Sequence, residues 1–226
     1  MYKVLLGAIA SISVLTACSG TPEVQTGDDA EVIMGGLNRV DNSRADFAYI
    51  DPQADFSKYN KVLLRPLGVD NVEIIQPSSS GSMNRHNRNW ELTDADKKNL
   101  QDAFRDAMVK QLEDKGAYPV VTEADDDVLL ITAVLTAIAP SAARDDNRSR
   151  PAGRSRVYTE GAGSLVVMVV YGDSETGEIL GLIKDAKSST STWGSNNSVS
   201  NMSDVKRMFS SWAMQIRKGL DRVHGK

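Results

Sequence analysis

The sequence predicts an α+β fold: a mainly antiparallel four- to five-stranded sheet with two amphipathic helices packed on one face. Three observations carry this. Two long segments, 94–115 and 203–223, place apolar residues at helical spacing. Between them lie apolar stretches at 128–138, 165–171 and 178–185, separated by turn residues. A shorter apolar run, Val62 to Leu64, precedes the first helix. Strands grouped between two amphipathic helices point to one layered α+β unit.

The first strand is "YNKVLLRPL", residues 59–67, with Pro66 near its end. The polar loop "QPSSSGSMNRHNRNW" follows at 76–90. Helix one has a strong start. Thr93 can cap it, and Asp94 and Asp96 fall in its first turn, where the helix dipole favours carboxylates. Leu100, Ala103, Phe104, Ala107, Met108 and Leu112 form its apolar stripe, and Gly116 suits its end.

"YPVV" at 118–121 reads as a short strand. "VLLITAVLTAI" at 128–138 is rich in β-branched residues and reads as a central strand, with Ile131, Ala133 and Leu135 on one face and Thr132, Val134 and Thr136 on the other. A second polar loop at 140–157 holds five arginines. The two strands after it are joined by "GDSETG", which has hairpin-turn composition. Another polar loop, 191–201, leads to helix two, capped by Ser203. Its stripe runs from Val205 through Phe209, Trp212 and Ile216 to Val223 and demands a covering surface. The crossover from the first strand through helix one permits one parallel pair.

The N-terminus carries a separate message. Residues 1–17, MYKVLLGAIASISVLTA, hold one charge, Lys3, then an uncharged apolar stretch ending in small residues. That is the layout of a cleaved secretory signal, and it is short for a spanning helix. Leu15, Thr16, Ala17 and Cys18 resemble the lipobox of bacterial lipoproteins. The resemblance implies cleavage before Cys18 and a covalent diacylglycerol and N-acyl chain on that residue. No other cofactor and no metal is expected. An ordinary signal with an incidental cysteine is the competing reading. More than one acyl chain anchors a protein stably. Ser19, rather than Asp, follows the cysteine, which by resemblance favours the outer membrane, periplasmic side.

The expected organisation is therefore a signal at 1–17, a lipidated N-terminus and flexible tether at 18–46, and a single α+β periplasmic domain at 47–226. About 28 flexible residues would span on the order of 30 Å. "AEVIMGGLN" within that tether is apolar enough to dock on the domain. Without the signal, 25 basic residues face 30 acidic ones, a net charge of −5. That balance speaks against a nucleic-acid partner. With one cysteine there is no disulfide, so the fold must rest on its core.

From "YIDPQADFSKYNKVLLRPL" onward the chain resembles the bacterial lipoprotein family of the DUF3313 domain. The matching residues are Tyr49, Asp51, Pro52, Asp55, Phe56, Tyr59, Lys61 and Val62, then "DSETGEIL" at 173–180, then the helix bearing Trp212 and Ala213. The resemblance spans about 47–223 and implies a periplasm-facing lipoprotein. It implies no catalytic residues.

The chemistry-bearing residues are few. His86 and His224 have no metal-ligand spacing, and the sole cysteine is read as acylated. No Gly-x-Ser-x-Gly elbow is present. Asp125, Asp126 and Asp127 lack the alternation of a calcium loop and read as a solvated turn. Asp173, Glu175 and Glu178 read as charges at a hairpin tip. The arginines Arg85 and Arg88, with Arg144, Arg148, Arg150, Arg154 and Arg156, are candidates for an anionic lipid or acidic envelope protein, because guanidinium forks suit phosphate and carboxylate. A solvated loop is the alternative. Trp90 and Trp193 flank polar loops and read as rim packing or a binding face.

These readings converge on a non-enzymatic, membrane-anchored binding or assembly module. The rivals are a lipid-transport accessory lipoprotein, and an envelope hydrolase built from Asp173, His86 or the arginine loops.

Overall fold

The β-branched run after Asp127 sets the architecture, because it becomes the central strand. The computed structural model describes residues 20–33, 35–77, 90–141, 158–159, 163–189, 194–195 and 198–226. In chain order the elements are β1 (Glu23–Val24), β2 (Val32–Ile33), β3 (Leu37–Asp41), β4 (Phe47–Ile50), a 3-10 turn (Phe56–Lys58), β5 (Lys61–Leu64) and β6 (Glu73–Ile74). Then come α1 (Asp94–Val109), a π turn (Lys110–Asp114), β7 (Val120–Val121), β8 (Val128–Pro140) and β9 (Tyr158–Thr159). The last are β10 (Gly163–Asp173), β11 (Ile179–Ser188), β12 (Gly194–Ser195) and α2 (Ser198–Val223).

Ten strands make one open mixed sheet in the order β1-β3-β4-β11-β10-β8-β5-β7, with β2 on β3 and β6 on β8. Its centre is antiparallel: β8, β10, β11 and β4 pair in succession. The other side is parallel, because the crossover through α1 returns the chain alongside β5, which pairs in parallel with β7 and β8. The four- to five-strand expectation is therefore too small and too antiparallel. The surplus lies in pieces of two to five residues (β1, β2, β3, β4, β6), too short to show an alternating pattern.

One face of the sheet carries the helices. Leu100, Phe104 and Met108 of α1 and Phe209, Trp212 and Ile216 of α2 share a core with Leu129, Ile131, Leu135, Val167 and Val169. Phe104 and Phe209 meet edge to face at 5.5 Å between ring centroids. The alternate residues Leu130, Thr132, Val134, Met168 and Val170 occupy the opposite face and are half-buried. The period-2 alternation in the sequence thus assigns both faces.

Thr93 caps α1 through a reciprocal box: its hydroxyl accepts from the Asp96 amide, and the Asp96 carboxylate accepts from the Thr93 amide. At Gly116 a Cβ would lie 2.5 Å from the Leu112 carbonyl, so only glycine fits the exit from the helical turns. α2 begins at Ser198, not after Ser203. Starting upstream lets Met202 pack against the core.

Residues 23–41 do not form a tether. β1 pairs with β3, β2 pairs with β3, and β3 pairs with β4. Leu37, from the apolar stretch expected to dock, is 2% exposed. Side chains complete the attachment: Asn38 Nδ2 donates to the Gln25 carbonyl at 2.8 Å, and Gln25 Nε2 donates to Asp41 at 2.9 Å.

Candidate functional site

Cys18 and the lipobox residues Leu15, Thr16 and Ala17 lie outside the described residues, as do Arg85, Arg88, Arg144, Arg148, Arg150, Arg154, Arg156, His86 and Trp193. What the structure describes is the body next to them, and it assembles four polar clusters.

The first is centred on Asp173, at the end of β10. Sequence reasoning placed it on a solvated tip; it is 7% exposed. Its Oδ1 accepts from the amides of Glu175 and Thr176, both at 3.0 Å, which folds the turn into β11. Its Oδ2 accepts from Tyr59 Oη at 2.8 Å and Lys58 Nζ at 3.0 Å. The Thr176 amide, the Lys58 ammonium and the Tyr59 hydroxyl together hold this carboxyl well below the usual carboxylate range, against the opposing effect of burial. Reciprocally, Asp173 and then the Tyr59 hydroxyl raise the Lys58 ammonium above its ordinary value. All four partners serve the fold, so Asp173 is a clasp between the hairpin and the entry to β5, not a free base.

The second cluster lies between β11 and α2. Asp185, 4% exposed, accepts from Trp212 Nε1 at 2.6 Å, from Lys187 Nζ at 3.2 Å and from the Asp46 amide at 3.3 Å. Nearby Asp204 accepts from Ser189 Oγ at 2.8 Å and from Arg207. The third lies at the end of α2, where Asp221 accepts from Tyr118 Oη at 3.2 Å and from Arg217. Burial pushes the Tyr118 phenol up to about 12. His224 Nδ1 lies 2.8 Å from the Leu220 carbonyl.

The fourth cluster is on the sheet face away from the helices. The Arg39 guanidinium lies over Phe47 at 5.6 Å and Tyr49 at 5.8 Å. Tyr49 Oη donates to Glu31, which also pairs with Arg39 at 3.3 Å. Phe47 is 47% exposed, and Lys184 stands directly opposite it on β11.

Asp125, Asp126 and Asp127 bring carboxylate oxygens within 4.8 Å of one another. Lys61 Nζ already lies 2.9 Å from Asp127 and 3.4 Å from Asp125, so part of that charge is matched by an ammonium. The first two are exposed, as expected of a turn before β8. Among the described residues no helix is long and apolar enough to cross a membrane.

The motif residues at 49–62 now have structural roles. Asp51 and Asp55 accept from the amides two residues on, at 2.8 and 2.9 Å. Phe56 packs edge to face against Tyr59 and Tyr171. Tyr59 reaches Asp173, Lys61 reaches Asp127, and Val62 is 1% exposed. Sequence reasoning could not find the Asp173 and Asp185 contacts, because their partners are 114 and 27 residues away.

The described chain is thus an α+β domain whose polar clusters tie a hairpin, a sheet edge and α2 to the rest of the fold. It belongs to the family Protein of unknown function (DUF3313), which matches residues 36–216, most of its length. No curated protein matches it in sequence. Among solved structures, a Xanthomonas campestris protein of family DUF330 is similar with a TM-score of 0.40 and 12% identity, over 72% of this chain and 84% of the other. The PelC dodecamer from Paraburkholderia phytofirmans gives 0.36 and 6%, over 73% and 91%. A candidate lipoprotein from Caulobacter crescentus gives 0.31 and 11%, over 76% and 95%.

Proposed function

We propose that this protein is a bacterial envelope lipoprotein, acylated on Cys18 and held at the periplasmic side of the outer membrane, where its domain acts as a non-enzymatic binding or assembly module. The observation that carries the reading is Leu15-Thr16-Ala17-Cys18 directly behind an uncharged apolar segment. The mechanism is confinement: an acylated domain stays near the bilayer and meets membrane-bound partners at high effective concentration. The buried carboxylates support a structural rather than a chemical role. Asp173, Asp185 and Asp204 each accept hydrogen bonds that join separate elements of the fold. A lipid-carrying role between sheet and helices is the weaker reading, since Trp212, Phe104, Phe209, Met108 and Leu112 fill that interface.

Globomycin treatment and Cys18→Ala test the anchor. The untreated protein is expected in the membrane fraction with acyl mass on its first mature residue. Both perturbations are expected to leave an unprocessed or unacylated form. A native protein that is processed yet soluble and without acyl mass overturns the reading.

A further inference from the structure

The anchor enters the domain at one particular corner, and the chain there is very short. Gly20 is pressed against Asn42: a Cβ on it would lie 2.7 Å from the Asn42 Cγ. From there the chain is tied down by β1, whose Glu23 and Val24 pair with Asp41 and Val40. The Gln25 amide then donates to the Arg39 carbonyl at 2.8 Å. Only Ser19 stands between Cys18 and Gly20, so two residue steps give a reach of about 7 Å at full extension. The interfacial layer on each side of a bilayer is itself roughly 5–8 Å thick. An acylated Cys18 therefore cannot let the domain stand clear of the headgroups.

The surface at that corner has the chemistry of an interfacial contact. The loop at 42–46 joins β3 to β4 and presents Arg44 to solvent. β4 begins at once with the exposed Phe47, and the exposed Lys184 lies opposite on β11. Neither cation has an ion-pair partner among the described residues. An aromatic ring flanked by cations is the side-chain set that settles at headgroup depth. The acidic neighbours Glu23, Asp41 and Asp46 offset the positive charge, so the contact depends on the short leash and the ring rather than on anionic lipid. The other end of β11 differs: Ile179 lies five residues from Lys184, about 17 Å along the strand.

We infer that the β1–β3–β4 corner, with Arg44, Phe47 and Lys184, is a membrane-docking surface that lies on the lipid interface and fixes the orientation of the domain. The inference rests on the acylation reading above. It makes the domain a fixed platform, with the β10–β11 turn directed away from the bilayer.

The sole native cysteine is used by the anchor, so single nitroxide labels report position without a competing thiol. Acylated full-length Ala45→Cys and Ile179→Cys variants, labelled and reconstituted in phosphatidylcholine vesicles, are compared by accessibility to an aqueous nickel chelate; position 45 lies in the same loop and leaves the Phe47 ring in place. The label at position 45 is expected to lose about tenfold in accessibility on vesicle binding, because a polar chelate is excluded from the interfacial layer. The label at 179 is expected to be unchanged. Inserting about 20 Gly/Ser residues between Ser19 and Gly20 allows a mean span of roughly 25 Å and should restore accessibility at 45 while the protein still floats with vesicles. Equal accessibility at 45 and 179 in the floating wild-type-length protein overturns the docking surface and leaves the anchor standing. Protection that survives the insertion overturns the leash argument. Failure to float, with no acyl mass, overturns the anchor itself.

Discussion

Replacing Asp173 by Ala removes one acceptor from four donors at once, and the cost follows from their environments. Tyr59 is 1% exposed, so its hydroxyl loses its partner where water does not readily replace it; such a group costs about 1–3 kcal/mol. The Glu175 and Thr176 amides sit at a turn, where water can substitute in part, for about 0.5–1.5 kcal/mol each. Lys58 is half exposed and adds no separate figure. The total is about 2–6 kcal/mol, centred on the range for breaking a buried, charge-assisted contact by removing one partner. In a domain of this size that corresponds to a fall in Tm of roughly 4–24 °C. Circular dichroism melts and urea unfolding measure it, with the midpoint moving and the slope m unchanged. The same carboxyl gives a pH signature. Its folded pKa is depressed, so its stabilisation is complete above the unfolded value near ~3.9 and fades as pH falls toward the folded value. The wild type should lose stability progressively below about pH 5, and Asp173→Asn should flatten that slope. A loss under about 1 kcal/mol for Asp173→Ala, with an unchanged acid slope for Asp173→Asn, refutes the clasp.

Two further outcomes are expected. Trp212→Phe removes the indole donor from Asp185 and leaves part of a buried ring's volume empty, costing at least about 2–3 kcal/mol in urea unfolding, since a buried carboxylate is left short of a partner. Tyr118 is raised to about 12 by burial, so its stabilising contribution is full below the ordinary phenol value and disappears as pH rises through about 12. Tyr49, Tyr59 and Tyr171 are raised as well, so absorbance titration of the phenolate band should show a late component near 12 that shrinks, without vanishing, in Tyr118→Phe.

How far each feature was legible depends on its length in the sequence. α1, α2, β8 and the β10–β11 hairpin announce themselves through long periodic stripes, a capping box and turn residues. Each signal is local, a few residues apart. Apart from β7, read from "YPVV", the short strands are not legible, because two to five residues hardly display a period. Residues 19–46 have linker composition, yet β1 and β2 within them pair with β3, which pairs with β4, and Gln25 and Asn38 add side-chain bonds. Backbone hydrogen bonds leave no trace in composition. Asp173 shows the same limit: a carboxylate in a polar turn looks solvated until Tyr59 is brought beneath it.

The sequence by itself determined the signal-like segment with its lipobox-like motif, the two helices, the central strands and which apolar side chains face inward. These follow from patterns along the chain that any segment expresses without reference to the rest. Only the tertiary structure decided the ten-strand mixed sheet, the burial of Asp173 and Asp185, and the point where the chain from Cys18 meets the domain. Those depend on contacts between residues far apart in sequence, whose free energy exists only once the chain has folded back on itself.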